Sequence, residues 1–317
     1  MSKKFGLFMA LIAGVAAVII FLYTPGAEVS RISCNSTNNS RTDYYIEEKL
    51  GFQFFIMNSE QAFINKKVLK VFRDSSISIG LLSSNGIDYA VLLGQGWVNL
   101  YKDGECVSKY YAGLEDGKIM SSVIADFNND GRSEIFLLLK HSDEEYGDNL
   151  IILSYLEGFK EIYKESFRNI NPWKVQVCDV DGDGEMEISL GAYTKAVFNP
   201  IYAKRPFIYN FIENNLYPKW LGSRLSKQFD DYVFNDMDKD GKDELIAIEI
   251  LSDSQKELNS YKWKGFGFES MGSSVAFGDI SDIKVNDSGI AARVKIDNIW
   301  KSAIFEYAHG MITNRVK

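Results

Sequence analysis

Residues 179–187 read DVDGDGEME, and two related stretches share the same pattern. They are DFNNDGRSE at 126–134 and DMDKDGKDE at 236–244. All three have Asp at position 1, Asp or Asn at position 3, Asp at position 5, Gly at position 6 and Glu at position 9. Because an ordinary acidic surface turn has no reason to repeat this register three times, the pattern indicates loops that hold a cation.

These residue types suit a hard divalent cation. Calcium takes about six to eight oxygen ligands, and alternate residues of a tight loop can direct their side chains to one point. Gly at position 6 permits the turn, and the backbone carbonyl at position 7 can add a ligand. An EF-hand needs Glu at position 12, where this chain has Leu137, Leu190 and Ala247. Short β-branched and apolar runs flank each loop, so the loops are predicted to join two strands.

The spacing of the loops predicts the architecture. They begin at residues 126, 179 and 236, which are 53 and 57 residues apart. An aromatic residue that opens a hairpin recurs five times, at Tyr101, Tyr155, Phe211, Trp263 and Tyr307. Degenerate loops at 81–89 and 277–282 fill the outer two repeats. A repeat of this length with four short strands is typical of a propeller blade. We expect an all-β chain with a β-propeller of five four-stranded blades, or six if residues 45–72 form another.

The stretch CDVDGDGEMEISLGAY, 178–193, resembles the FG-GAP/VCBS type of calcium-binding propeller repeat, which is found in integrin α-subunit heads and bacterial surface proteins. Phe277 and Gly278 match the FG element in the last repeat, and the resemblance covers about 73–317. It implies bound calcium, with side chains at positions 1, 3, 5 and 9 as ligands. Here these are Asp126, Asn128, Asp130, Glu134, Asp179, Asp181, Asp183, Glu187, Asp236, Asp238, Asp240 and Glu244.

The N-terminus has a separate pattern. Residues 5–23 are nineteen positions without a charge, preceded by Lys3 and Lys4. This length nearly spans a bilayer core, and the lysines favour a cytoplasmic N-terminus. We therefore expect a cytoplasmic segment 1–4, a signal-anchor helix 5–23, a flexible tether 24–43 and an extracytoplasmic propeller 44–317, either periplasmic or on the cell surface. The alternatives are a cleaved signal peptide and, less favoured, a lipoprotein attached through Cys34.

Catalytic motifs are not evident in the sequence. His141 and His309 both lie in predicted turns, and the motifs of serine hydrolases, zinc proteases and phosphate-binding loops are absent. The formal net charge of −8 argues against a nucleic-acid partner. The sequence therefore predicts no catalytic residues and a chain that is not an enzyme.

One segment mixes aromatic and basic residues between the second loop and its hairpin. It is YTKAVFNPIYAKRPF, 193–207, and its candidate ligand-binding residues are Phe198, Tyr202, Lys204 and Arg205. The alternative is a hairpin that packs its aromatic residues on the blade. We expect a membrane-anchored binding, adhesion or scaffolding module with a protein or carbohydrate ligand outside the cytosol. The alternatives are a carbohydrate-active enzyme, such as a polysaccharide lyase, and an envelope assembly factor.

The anchor prediction is testable by topology. Protease added to spheroplasts should digest the chain beyond about residue 44 and leave the anchor in the membrane, since a retained signal-anchor exports the chain on its C-terminal side. Immunoblotting of membrane and soluble fractions would measure this. Release of a soluble chain that begins near residue 28 would instead indicate a cleaved signal peptide.

Overall fold

The computed structural model describes residues 78–316, with gaps at 95, 103–104, 114–116, 223, 287–288 and 309. Before residue 78 it describes only the backbone of short strands, and side chains are described from residue 80 onward. The chain divides into two compact units. One comprises Met1–Ile77 with Tyr101–Val107, and the other comprises Ser78–Leu100 with Ser108–Lys317.

The N-terminal unit contains strands only in its described parts. Strands β1 (Leu11–Ile12) and β2 (Val15–Ala16) pair with each other. A five-stranded antiparallel sheet comes next in chain order: β3 (Ile32–Cys34), β4 (Thr42–Lys49), β5 (Phe52–Met57), β6 (Gln61–Ile64) and β7 (Lys67–Lys70). The rest of the predicted anchor 5–23, and most of the predicted tether 24–43, lie outside the described residues. No helix among the residues that are described is long and apolar enough to cross a membrane.

Five four-stranded antiparallel sheets follow along the chain from residue 78, each with its strands in sequence order. Sheet one has β8 (Ser78–Ser84), β9 (Ile87–Gly94), β10 (Trp97–Lys102) and β11 (Glu105–Tyr111). Sheet two has β12 (Gly117–Ala125), β13 (Glu134–His141), β14 (Asn149–Tyr155) and β15 (Phe159–Ser166). Sheet three has β16 (Pro172–Cys178), β17 (Glu187–Ala196), β18 (Asn199–Ile212) and β19 (Asn215–Leu221).

The last two sheets have the same order. Sheet four has β20 (Phe229–Asn235), β21 (Glu244–Ile250), β22 (Lys256–Trp263) and β23 (Phe268–Ser273). Sheet five has β24 (Asp279–Asn286), β25 (Gly289–Ile296), β26 (Ile299–Ala308) and β27 (Met311–Val316). One turn of 3-10 helix, Arg168–Ile170, connects sheets two and three. The prediction of an all-β chain with five four-stranded sheets is confirmed.

Neighbouring sheets share their hydrophobic cores. Four clusters of buried side chains lie between sheets one and two, two and three, three and four, and four and five. The second strand of each middle sheet is buried over six consecutive residues, because it is covered on both faces. Apart from the glutamate at position 9, Ser189 and Glu249, these runs are apolar, which is typical of fully buried strands. The first strands of sheets two to five also lie beside one another in order. The sheets therefore stack face to face, as in a propeller.

Candidate metal centres

The three acidic loops occupy the same place in three consecutive sheets. Each connects the first strand of its sheet to the second: β12 to β13, β16 to β17 and β20 to β21. Residues 126–134 form the first loop, 179–187 the second loop and 236–244 the third loop. The strand–loop–strand arrangement expected from the flanking residues is observed.

Position 1 and position 6 shape the loop itself. The Asp179 carboxylate accepts hydrogen bonds from the backbone N–H of Gly182 at 2.7 Å and of Gly184 at 3.0 Å. Asp126 and Asp236 accept the same bond from position 6, and their second bond comes from the N–H of position 5 instead of position 4. The glycine at position 6 has a φ of +82°, +83° and +86° in the three loops, a conformation that side-chain-bearing residues rarely adopt. Two features of the repeated pattern are therefore explained by the turn.

Position 9 is a buried glutamate in every loop. Glu134, Glu187 and Glu244 are 3%, 2% and 0% exposed. The N–H of Val180 donates to Glu187 Oε2 at 3.0 Å, and the N–H of Met237 donates to Glu244 Oε2 at 2.9 Å. Burial raises the pKa of all three carboxyls, and burial together with the nearby charge of Asp130 raises the pKa of Glu134 to about 7. Burial of an ionised carboxylate is costly unless a cation compensates it.

Several carboxylate oxygens of the loops are buried and have no hydrogen bond. Among the described residues, seven buried side-chain nitrogen or oxygen atoms have no hydrogen-bond partner. Four of them are carboxylate oxygens at positions 3 and 9 of the loops: Glu134 Oε2, Asp181 Oδ1, Asp238 Oδ1 and Glu244 Oε1. Native proteins leave few buried polar atoms without a hydrogen-bond partner. The grouping of four such atoms in these loops indicates that they have a further binding partner. In the second loop, oxygens of Asp179, Asp181 and Glu187 lie within 4.8 Å of one another. Asp236, Asp238 and Glu244 do the same in the third loop, and this separation fits one calcium ion with ligands at about 2.3–2.6 Å.

The aspartate at position 5 accepts hydrogen bonds from within its own loop. Asp183 and Asp240 each accept the backbone N–H of position 7 through Oδ1, at 2.8 and 3.2 Å. Asp130 does so at 2.9 Å and also binds the Arg132 side chain. Asn128, at position 3 of the first loop, accepts the N–H of Asp130 at 3.1 Å through Oδ1. These contacts hold the turn, and the carboxylate clusters of the second and third loops are formed by positions 1, 3 and 9 without position 5.

Two lysines outside the repeated pattern reach into the loops, and no sequence motif indicates them. Lys219 of β19 donates to Asp181 and Glu187. Lys262 of β22 lies 2.6 Å from Asp238 Oδ2 and 3.4 Å from Glu244 Oε1 and also pairs with Asp240. Although burial acts to lower it, the pKa of both lysines is raised by these carboxylates. Each lysine supplies positive charge to a cluster of acids.

The loops are also joined to one another. The Asn129 side chain donates to the carbonyl of Gly184 at 2.7 Å, which links the first loop to the second. The N–H of Asp179 donates to Asp243 Oδ2 at 2.9 Å, and the N–H of Asp243 donates back to the carbonyl of Asp179 at 2.7 Å. The three loops therefore form a connected row.

The four candidate ligand-binding residues do not form one site. Phe198 is 93% exposed at the tip of the β17–β18 hairpin, and Tyr202 stacks on Tyr193 with ring centroids 5.7 Å apart. Lys204 lies over the Trp173 ring at 4.7 Å and donates to the carbonyl of Asp230. Arg205 is fully buried and donates to the carbonyls of Thr194, Asn199 and Ile201. Arg205 therefore supports the hairpin, while the aromatic residues are presented near its tip.

The remaining candidates for chemistry are few. His141 ends β13 and is half-buried, and His309 lies outside the described residues. Cys178 is buried, and burial raises the pKa of its thiol, which disfavours the reactive thiolate.

Comparison with known proteins supports the fold. No protein-family model matches the sequence, and no curated protein matches it. The chain is similar to the crystal structure of BBS1N in complex with ARL6DN, soaked with mercury, with a TM-score of 0.51 and 12% identity over 98% of this chain and 87% of that one. It is also similar to a putative 6-phosphogluconolactonase from Bacteroides uniformis, with a TM-score of 0.50 and 10% identity over 95% of this chain and 87% of that one. At these identities the likeness concerns the fold alone, which is β-propeller-like.

The contact between the second and third loops gives a prediction that does not depend on metal. Asp243→Ala removes the acceptor of the Asp179 N–H and should lower the free energy of unfolding by about 1 kcal/mol, since it leaves a half-buried donor without a protein partner. Asp243→Asn keeps an acceptor and removes a charge that burial disfavours, so it should lower the free energy of unfolding by less than Asp243→Ala does. Urea unfolding in chelator measures both, and equal losses would show that the hydrogen bond is unimportant.

Proposed function

We propose that this chain is a membrane-anchored, extracytoplasmic calcium-binding protein in which a propeller-like body acts as a binding or scaffolding module. The observation that carries the proposal is the set of buried carboxylate oxygens without hydrogen bonds at positions 3 and 9 of the three loops. A cation that binds these oxygens would compensate both their burial and their mutual repulsion.

The donor set favours calcium. Every candidate ligand is a carboxylate, an amide oxygen or a backbone carbonyl, and calcium prefers such oxygen ligands. Zinc and copper sites are typically built from His and Cys, neither of which occurs in the loops. The first ion would be held by Asp126, Asn128, Asp130 and Glu134. The second and third would be held by the corresponding residues of the other loops: Asp179, Asp181, Asp183 and Glu187, and Asp236, Asp238, Asp240 and Glu244.

Calcium in these loops would serve structure and not chemistry. The loops join the first two strands of three neighbouring sheets and are bonded to one another, so an ion in each would order one continuous surface. The ions would also suppress the acidity of the only carboxylate clusters that the sequence repeats. We therefore keep the expectation that the chain is not an enzyme.

The β17–β18 hairpin supplies a candidate contact surface. Val197 and Phe198 are 90% and 93% exposed at its tip, whereas Arg205 holds its base rigid through three carbonyl groups. Exposed aromatic side chains on a rigid support are typical of protein interfaces. The partner class that fits this tip is a protein or carbohydrate outside the cytosol.

Calcium binding is tested by thermal unfolding. Calcium in the millimolar range should raise the melting temperature of the full-length protein relative to chelator, because binding to the folded state adds about 2.7 kcal/mol per site at a hundredfold excess over Kd. Asp181→Ala should reduce this increase. Asp279→Ala serves as the control: it removes an acid that pairs with Lys256 in the decayed fifth repeat, so it should lower both curves and preserve their difference. Identical curves in chelator and calcium would refute calcium binding.

The binding role is tested by co-purification from native membranes. A partner identified with the wild-type protein should be recovered in calcium and lost with Phe198→Ser, because that side chain makes few contacts within the fold. The matched control is Leu156→Ser, which changes an exposed apolar side chain in another hairpin. Ile312 is buried, so Ile312→Ser would not serve. A melting temperature of Phe198→Ser equal to wild type would separate lost binding from unfolding. A partner retained equally by both variants would exclude the tip as the contact.

A further inference from the structure

The three loops differ in the cation that faces their buried glutamate. In the second loop, the Lys219 ammonium bonds to Asp181 and Glu187, and its side chain is only 14% exposed. In the third loop, the Lys262 ammonium contacts Asp238, Asp240 and Glu244, and its side chain is 15% exposed. In the first loop, Arg132 bonds to Asp130, and no basic side chain among the described residues forms an ion pair with Glu134. The first loop therefore differs from the other two in that no ammonium group contacts its glutamate.

The two lysines come from different positions of the four-stranded repeat. Lys219 is the extra residue of an irregularity in the pairing of β18 with β19. The same irregularity occurs in sheets two and four, where the extra residues are Ile162 and Met271. An irregularity of this kind redirects a side chain locally. It places a lysine at the second loop, whereas the equivalent positions of the neighbouring sheets carry uncharged side chains.

Lys262 lies on the third strand of its sheet. The residue after position 9 pairs with Leu153, Tyr209 and Tyr261 in sheets two, three and four. The next residues along those strands are Ser154, Asn210 and Lys262. Each sheet thus has two positions from which a lysine can reach the loop. The second loop uses one, the third uses the other, and the first uses neither.

An ammonium group and a metal ion compete for these oxygens. Lys219 and Lys262 contact carboxylates at positions 3 and 9, which are the proposed ligands of calcium. Two cations bound to the same few oxygens repel strongly in a partly buried site. Lysine is held on a flexible stem, so a divalent cation at sufficient concentration can displace it.

Resting on the proposed function, we infer that Lys219 and Lys262 are built-in counter-ions that compete with calcium in the second and third loops, and that the first loop is the site of highest calcium affinity. Counting acids alone predicts the opposite order, since the second loop has four acidic ligands and the first has three with Asn128. The lysines stabilise two loops without metal and leave one loop dependent on it.

The test is a calcium titration of the full-length protein in detergent, by calorimetry and by melting curves with and without chelator. The tightest calcium site of the wild-type protein should be lost in the Glu134→Gln variant. It should be retained in the Glu187→Gln variant. Lys219→Met should lower the melting temperature in chelator and tighten one of the weaker sites at least about tenfold, and Lys262→Met should do the same for the other. Lys219→Gln, which keeps a hydrogen-bond donor but no charge, is the second variant if the methionine variant fails to fold.

Two controls separate competition from general loss of stability. Lys256 also bridges two carboxylates, those of Asp230 and Asp279, but lies outside the three loops. Lys256→Met should lower both melting curves without changing any calcium affinity. Ser154→Lys places a lysine at the first loop in the position that Lys262 has at the third, and it should weaken the tightest site at least about tenfold.

The outcomes distinguish the two proposals. If neither the wild type nor the lysine variants bind calcium, the proposed calcium-binding function is wrong. If the wild type binds calcium but Lys219→Met, Lys262→Met and Ser154→Lys leave every affinity unchanged, calcium binding stands and the competition is refuted. If Glu187→Gln and not Glu134→Gln removes the tightest site, the inferred order of the loops is refuted.

Discussion

A carboxylate that is buried at the start of a strand needs a positive charge, and much of this architecture depends on how that charge is supplied. Glu134, Glu187 and Glu244 each begin the second strand of a sheet and are almost fully buried. One oxygen of Glu187 and one of Glu244 accept a backbone N–H of the loop, which closes the turn. The other oxygen of Glu187 is paired with Lys219, and that of Glu244 lies 3.4 Å from Lys262. The glutamate therefore connects the shape of the loop to its electrostatics.

The sheets hold these glutamates in place through packing. Each hydrophobic cluster is built from two adjacent sheets, so none of the three middle sheets can shift without exposing apolar surface on both sides. The buried runs that begin at position 9 of the loops belong to these clusters. The position of each loop relative to its sheet is thus determined by the core and not by the loop alone.

The sequence predicted the features that repeat and missed those that do not. Asp at position 1 and Gly at position 6 recur because the turn requires them, so the strand–loop–strand units and the five sheets could be inferred from spacing. Lys219 and Lys262 lie on different strands and carry no local pattern; only the pairing of the strands brings them to the acids. Arg205 was expected at a binding surface because arginine is common there, but three carbonyl groups of its own hairpin hold it in the interior. The fate of a charged side chain in a long hairpin depends on carbonyl groups whose direction sequence does not reveal.

The connected row of loops has a thermodynamic consequence. Asn129 bonds to the second loop, and Asp243 of the third loop exchanges two hydrogen bonds with Asp179 of the second. A loop that is already ordered restricts the backbone of its neighbour, so the neighbour loses less conformational entropy when it is ordered in turn. We therefore expect ordering of the three loops to be positively cooperative, with the hydrogen bonds between them as the link from one loop to the next.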